Sequence, residues 1–194
     1  SVREVDPATG VVLRRRQLIR ALFGEGLARV GQHLIQLTWK NEVALEYRLK
    51  DLHPTGRRFP YTGEGWGLCY DGELLWMSDG SSFLHRRSPE DFSNLGNLAV
   101  RLSGRRLFRL NELECVGDSI YANVWQSDFI VRINKRSGYV TGALDASDLF
   151  PRRGPEHDVL NGIAFNPASG TFYLTGKLWP RMFEVRIRPA KHGR

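Results

Sequence analysis

The chain has 194 residues and a mass of 22.1 kDa, with 41% hydrophobic residues, 25% charged residues and 20 glycines, which describes one domain, or two small ones, with enough apolar matter for a core. No apolar run approaches the ~20 residues that span a bilayer, and no basic start leads into an apolar signal region. The formal net charge of +7 rests on 28 basic residues, 23 of them Arg, in short groups such as Arg14-Arg15-Arg16, Arg57-Arg58, Arg86-Arg87, Arg105-Arg106 and Arg152-Arg153. Dispersed like this, mostly outside the aromatic motifs, they read as solvated strand ends and loops, not as the one-faced patch of a nucleic-acid binder.

Taken in order, the chain is strand-like almost throughout. Short apolar runs alternate with Gly, Asn, Asp and Pro turns. The first two strands are expected at 2–6 and 11–17. The turn between them, Asp6 to Gly10, resembles two later ones, Asn134 to Gly138 and Asn166 to Gly170. Each starts with an Asx residue and ends with Gly, which suits a turn closing at positive φ. Helix is limited to single turns around 88–95 and 146–150.

From residue 25 a repeat is visible. Glu25-Gly26-Leu27, Trp66-Gly67-Leu68, Asn111-Glu112-Leu113 and Asn161-Gly162-Ile163 open four segments, their middle residues 41, 45 and 50 positions apart. Second strands are expected at 33–39, 74–79, 119–125 and 171–177, and third strands at 43–49, 83–87, 129–134 and 182–187. Fourth strands follow at 56–61, 96–102 and 139–144. Four short strands in ~40–45 residues mark a β-propeller blade. The fold class is therefore all-β, with 1–194 a single propeller domain of about four and a half blades. The strands at 2–6 and 11–17 read as the outer half of a first blade. A five-bladed ring would need two further strands before them and one after the last. Together with the absence of an initiating Met, this leads to the expectation that ~35–45 residues of the ring lie outside this sequence.

Cys69 and Cys115 lie in apolar runs (Gly67-Leu68-Cys69-Tyr70 and Leu113-Glu114-Cys115-Val116), are too few for a disulfide framework, and lack zinc spacing. They are expected as buried free thiols. His33, His53, His85, His157 and His192 form no ligand pair, so no protein-built metal centre is expected.

First strands line a propeller channel, and strands one and two run antiparallel. The repeat starts and second-strand ends therefore converge on one channel mouth, bringing together Phe23, Glu25, Trp39, Trp66, Asn111, Trp125, Asn161 and Lys177. Singly, each has a plain role in packing, capping or snorkelling. Together they make a concave, aromatic-lined site with a few polar groups. Trp76, in mid-strand, is assigned to the core, and Trp179 is left undecided.

The ordered motifs Gly24-Glu25-Gly26-Leu27, Leu37-Thr38-Trp39, Gly63-Glu64-Gly65-Trp66-Gly67-Leu68, Leu110-Asn111-Glu112-Leu113-Glu114, Ala122-Asn123-Val124-Trp125, Asp158-Val159-Leu160-Asn161-Gly162-Ile163 and Thr175-Gly176-Lys177-Leu178-Trp179-Pro180 resemble the plant- and bacterial-type glutamine cyclotransferases. The resemblance covers 1–187. It implies a five-bladed propeller that converts N-terminal glutamine, in peptides or free, to pyroglutamate with loss of ammonia. It further implies Glu25 as the catalytic residue, and Phe23, Trp39, Trp66, Asn111, Trp125 and Lys177 as the pocket. No cofactor and no metal are implied. Partners are peptides or proteins with N-terminal glutamine, without nucleic acid or membrane, on a monomer exported to a periplasm or secreted. The family's Phe-Thr-Gln-Gly-type segment has no counterpart in this sequence. Two other readings stay open: a non-catalytic propeller binding a peptide or small ligand at the same mouth, and a metal-dependent propeller lactonase or hydrolase.

Overall fold

The computed structural model describes residues 1–151, 154 and 156–188; Arg152, Arg153 and His192 lie outside the described residues. The chain builds a series of antiparallel sheets in sequence order. β1 (Val2–Val5) and β2 (Val12–Arg16) pair alone. Then come β3 (Gly24–Val30), β4 (His33–Thr38), β5 (Val43–Arg48) and β6 (Pro54–Pro60), four strands in chain order. The next sheet has the same order, with β7 (Leu68–Tyr70), β8 (Leu75–Met77), β9 (Phe83–Arg87) and β10 (Asn94–Ala99). A small hairpin of β11 (Arg101–Leu102) and β12 (Arg105–Arg106) precedes a third four-stranded sheet of β13 (Leu110–Val116), β14 (Ser119–Val124), β15 (Phe129–Asn134) and β16 (Val140–Asp145). Last come β17 (Leu160–Asn166), β18 (Thr171–Gly176) and β19 (Phe183–Val185). Among the described residues helix is confined to one 3-10 turn, Ser147–Leu149.

These are propeller blades, and their cores lie between them. One buried cluster joins Val2 and Leu18 to Leu34, Tyr47 and Leu52 across the first interface. A second joins Ile35, Leu37 and Phe59 to Leu68, Leu75 and Met77. A third joins Trp76, Leu84 and Leu98 to Leu113, Ile120 and Val131. The fourth joins Ile130 to Leu160, Phe172 and Leu174. No sheet has a core to itself; each apolar face is satisfied only by its neighbour. Trp76 is core, as expected, 3% exposed, with its indole N–H donating to Asp71 Oδ2 at 3.0 Å.

The three similar turns share one geometry. Gly10, Gly138 and Gly170 have φ of 74°, 73° and 67°. Their N–H groups donate to the carbonyls of Asp6, Asn134 and Asn166 at 2.8, 2.8 and 2.9 Å. The Asx side chains accept from the N–H groups of Ala8, Arg136 and Ala168. Only glycine closes such a turn without a Cβ penalty. The β11–β12 hairpin was not foreseen. Its two-residue turn has Ser103 at φ 48° and Gly104 at φ 81°, the double positive φ of a tight hairpin, just past the strand expected at 96–102, which ends at Ala99 instead.

The cysteine expectation is corrected. Cys69 of β7 and Cys115 of β13 form a disulfide, with Cα atoms 5.5 Å apart. The two first strands sit side by side, and their facing side chains have opposite parity. Cys69 stands two residues after Gly67, and Cys115 three after Glu112, so each points at the other's sheet. Closing a loop of 46 residues removes chain entropy worth about 4 kcal/mol from the unfolded state. The arginine reading also changes in part. The guanidinium groups of Arg57, Arg86 and Arg106 lie over Phe59, Trp76 and Phe83, covering blade surfaces, and that of Arg87, itself buried, lies over Phe92.

Candidate active site

At the mouth the second strand of a blade is tied to the residue two before its own repeat start. The N–H groups of Trp39, Trp125 and Lys177 donate to the carbonyls of Phe23, Arg109 and Val159 at 2.9, 2.8 and 2.9 Å. This common bond sets Trp39, Trp125 and Lys177 at equivalent places, one residue past β4, β14 and β18.

The first strands are stitched to one another around the axis. Gly26 N–H donates to the Trp66 carbonyl at 2.7 Å. Gly67 N–H donates to Ser78 Oγ at 2.8 Å, and that hydroxyl donates to the Asn111 carbonyl at 2.7 Å. Glu112 N–H donates to Asn161 Oδ1 at 3.3 Å. The approach is close enough that a Cβ on Gly26 would meet the backbone N of Leu68 at 2.5 Å. These contacts explain why glycine follows Glu25 and Trp66.

The resulting cavity has a volume of about 250 Å³ and is lined by Phe23, Glu25, Trp39, Trp66, Asn111, Trp125, Gln126, Asp158, Val159 and Lys177. All seven residues that the sequence places in the catalytic site and its pocket line it. Asn161 is not, since its side chain is spent on the Glu112 backbone. The rings form two edge-on pairs, Phe23 with Trp39 (centroids 6.1 Å apart) and Trp66 with Trp125 (5.4 Å). Phe23 and Trp39 remain 58% and 39% exposed, so this wall faces incoming ligand.

Burial pushes the Glu25 carboxyl above the ordinary glutamate range; the Lys177 ammonium pulls it back and the Glu64 carboxylate pushes it up further. Deeper in the channel Glu112 occupies the place that glycine holds in the other three repeats. Desolvation there raises it to about 8 against the pull of the Leu113 N–H, with the Glu25 and Glu114 charges adding to the rise and Lys177 opposing it. Glu114 is raised to about 7 by desolvation, partly offset by the Phe165 N–H.

Three lining residues escaped the sequence reading. Val159 is the repeat equivalent of Phe23, so extending the alignment two residues upstream would have found it. Gln126 directly follows Trp125 at φ 63°, its Oε1 held by the Arg109 guanidinium at 3.0 Å. Asp158 adds a second carboxylate to the lining beside Glu25. It is exposed at the rim, its Oδ1 accepting from Val159 N–H at 2.7 Å, while its carbonyl accepts from the Trp179 indole at 2.8 Å. Trp179, left undecided, packs partly buried against the last interface core. Among the described residues no three His, Cys, Asp or Glu side chains gather where they could hold a metal ion.

The family model for glutamine cyclotransferase matches residues 1–187. A glutaminyl-peptide cyclotransferase of Arabidopsis thaliana is 37% identical over 196 aligned positions, covering 98% of this chain. The chain spans 61% of that protein's length. The crystal structure of Myxococcus xanthus glutaminyl cyclase superposes with a TM-score of 0.80 at 43% identity, covering 85% of this chain and 72% of that one.

Proposed function

Because the chain belongs to the glutamine cyclotransferase family, we propose that its channel-mouth site closes N-terminal glutamine to pyroglutamate and releases ammonia. The observation that carries this reading is a half-buried carboxylate, Glu25, raised by desolvation and set among aromatic walls with Lys177 and Asn111 in the same cavity.

The reaction is an intramolecular attack of the neutral α-amine on the side-chain amide carbon. A C–N bond forms, giving a tetrahedral oxyanion, and the amide C–N bond then breaks. Ionised Glu25 takes a proton from the attacking nitrogen and returns it to the departing one, which leaves as ammonia. A carboxylate with a raised pKa is suited to both halves of that transfer. Lys177 and Asn111 supply the positive charge and the amide donor for the oxyanion. The Trp39, Trp66 and Trp125 walls fold the flexible side chain into a ring-closing shape. Asp158, at the rim, meets the substrate's ammonium before it loses its proton. The residues named complete the proton inventory without a metal.

The same reading takes the propeller as a five-bladed ring. The β1–β2 sheet is taken as third and fourth strands because it precedes the first repeat start and packs Val2 against Leu34 and Tyr47 of the next blade, and four interface cores lie between the five blade sheets. Peptides and proteins with N-terminal glutamine are its substrates, acted on by a monomer. The Cys69–Cys115 disulfide supports an exported protein, since such bonds persist in oxidising compartments.

The test is ammonia release from a dipeptide beginning with glutamine, with and without chelator. Release that is insensitive to chelator is expected. Binding of the dipeptide without release would turn the site into a ligand-binding mouth, and loss to chelator would favour a metal-dependent hydrolase.

A further inference from the structure

Between the two aromatic pairs lies a carboxylate that the reaction does not use. Glu64 Oε2 accepts from the indole N–H of Trp39 at 2.7 Å and from that of Trp66 at 2.9 Å. The two tryptophans belong to different blades. Trp39 follows β4 at the end of a second strand, and Trp66 precedes β7 at the start of the next blade. Each is also held from its other side, Trp39 edge-on to Phe23 and Trp66 edge-on to Trp125. One oxygen atom thus links two pairs of rings into a single wall.

The rest of Glu64 is fixed as well. Its Oε1 lies 3.7 Å from Lys40 Nζ, and that ammonium sits 4.1 Å above the Trp39 ring centroid. The backbone on either side is anchored, Gly63 N–H to Glu42 Oε1 at 2.8 Å and Gly65 N–H to the Trp39 carbonyl at 2.9 Å. Tyr61, which opens the loop, donates its hydroxyl proton to the Thr38 carbonyl and accepts from Thr38 N–H at 3.2 Å. A Cβ on Gly65 would lie 2.4 Å from the Tyr61 hydroxyl, so the loop folds this tightly because glycine follows Glu64.

An indole has one donor and no acceptor, so a single bond decides which way its plane turns when the ring is not enclosed. Trp39 is such a ring, at 39% exposure. A charged acceptor makes the bond short and directional. Two indoles on one oxygen cannot turn independently.

We propose that Glu64 is a positioning residue, whose carboxylate locks Trp39 and Trp66 of adjacent blades into one wall and so sets the shape in which a glutamine side chain is held. The kinetic part rests on the cyclase reading; the locking itself does not.

The test compares wild type, Glu64→Gln and Glu64→Ala. Gln keeps an oxygen acceptor and loses the charge; Ala loses both. The first readout is the indole N–H spectrum of ¹⁵N-labelled protein, in which Trp39→Phe and Trp66→Phe assign two of the five tryptophan signals. In Glu64→Ala both signals should move upfield and exchange faster with water, with a smaller shift in the same direction in Glu64→Gln. The second readout is kcat and KM for a glutamine dipeptide. The Ala variant should lose about tenfold or more in kcat/KM, as expected for a misoriented reactant, and Gln should recover most of it. A loss of equal size in both variants would belong to the charge and would overturn the positioning role. Unmoved indole signals in Ala, or in Gln should Ala not fold, would overturn the lock. Signals that move as expected in a protein whose wild type releases no ammonia would refute the cyclase reading and leave the lock standing.

Discussion

Gly67 faces the carbonyl oxygen of Asn111 so closely that a Cβ at 67 would lie 2.1 Å from it. The contact joins the first strands of two blades just below the cavity. Neither backbone can yield without moving Asn111, a lining residue. Gly67→Ala is therefore expected to cost about 3 kcal/mol, in the range of core overpacking, and to lower Tm by about 6–12 °C. Gly142→Ala is the control: its nearest neighbour would be 3.7 Å away and its φ is not positive, so its Tm should hold or rise slightly. Equal Tm values for the two variants would refute the close-approach argument.

Glu25→Gln should abolish ammonia release, with a loss of at least ~100-fold for a general acid–base. Because Glu25 lines a cavity and fills no core, Tm should stay within about 2 °C of wild type. Turnover within about tenfold of wild type would remove Glu25 from the mechanism.

The pH profile of kcat/KM should rise from pH 6 towards mildly alkaline pH. The attacking amine has a pKa of ~7.7–8.0 in a peptide and is reactive only when neutral. A glutamine substrate with a more acidic α-amine should shift this limb to lower pH by the same amount. A limb that ignores the substrate would belong to an enzyme group.

Glu112 gives the fold itself a pH dependence. Its carboxyl titrates near 4.5 in the unfolded chain and about 8 in the folded one. Below pH 4.5 it is protonated in both states and costs nothing. Between pH 4.5 and 8 the unfolded chain releases the proton and the folded one keeps it, so stability falls as pH rises. Glu112→Gln removes that dependence. The variant should match wild type near pH 4 and exceed it at pH 8 by on the order of 4 kcal/mol, a Tm gain of about 10 °C. The same advantage at both pH values would show that Glu112 does not titrate as stated.

Reducing the Cys69–Cys115 bond should lower stability by about 4 kcal/mol, and Cys69→Ser with Cys115→Ser should show the same loss without reductant. A double variant with the Tm of wild type would mean that the bond does not constrain the unfolded chain.

What could be read in the sequence was whatever repeats. Glu25, Trp66 and Asn111 open equivalent first strands, and Trp39, Trp125 and Lys177 close equivalent second strands, so alignment of the repeats placed them at one mouth. What could not be read depended on relations between different blades. The disulfide required knowing that two first strands face each other with opposite parity. Asp158 and Gln126 lie in connections, where the repeat offers no register. The β11–β12 hairpin starts inside the strand expected at 96–102 and turns at Ser103, which, unlike Gly104, gives no hint of positive φ.

The lining residues are delivered by four separate sheets, held to one another by the side chains wedged between them, by the bonds that stitch their first strands and, at one interface, by a disulfide. Shape at the mouth is thus a sum of blade-to-blade angles, and turnover becomes a sensitive gauge of them. A methylene removed from Leu113 or Met77, neither of which lines the cavity, would tilt one sheet before it unfolded anything, and ammonia release would register that tilt while the melting curve still looked sound.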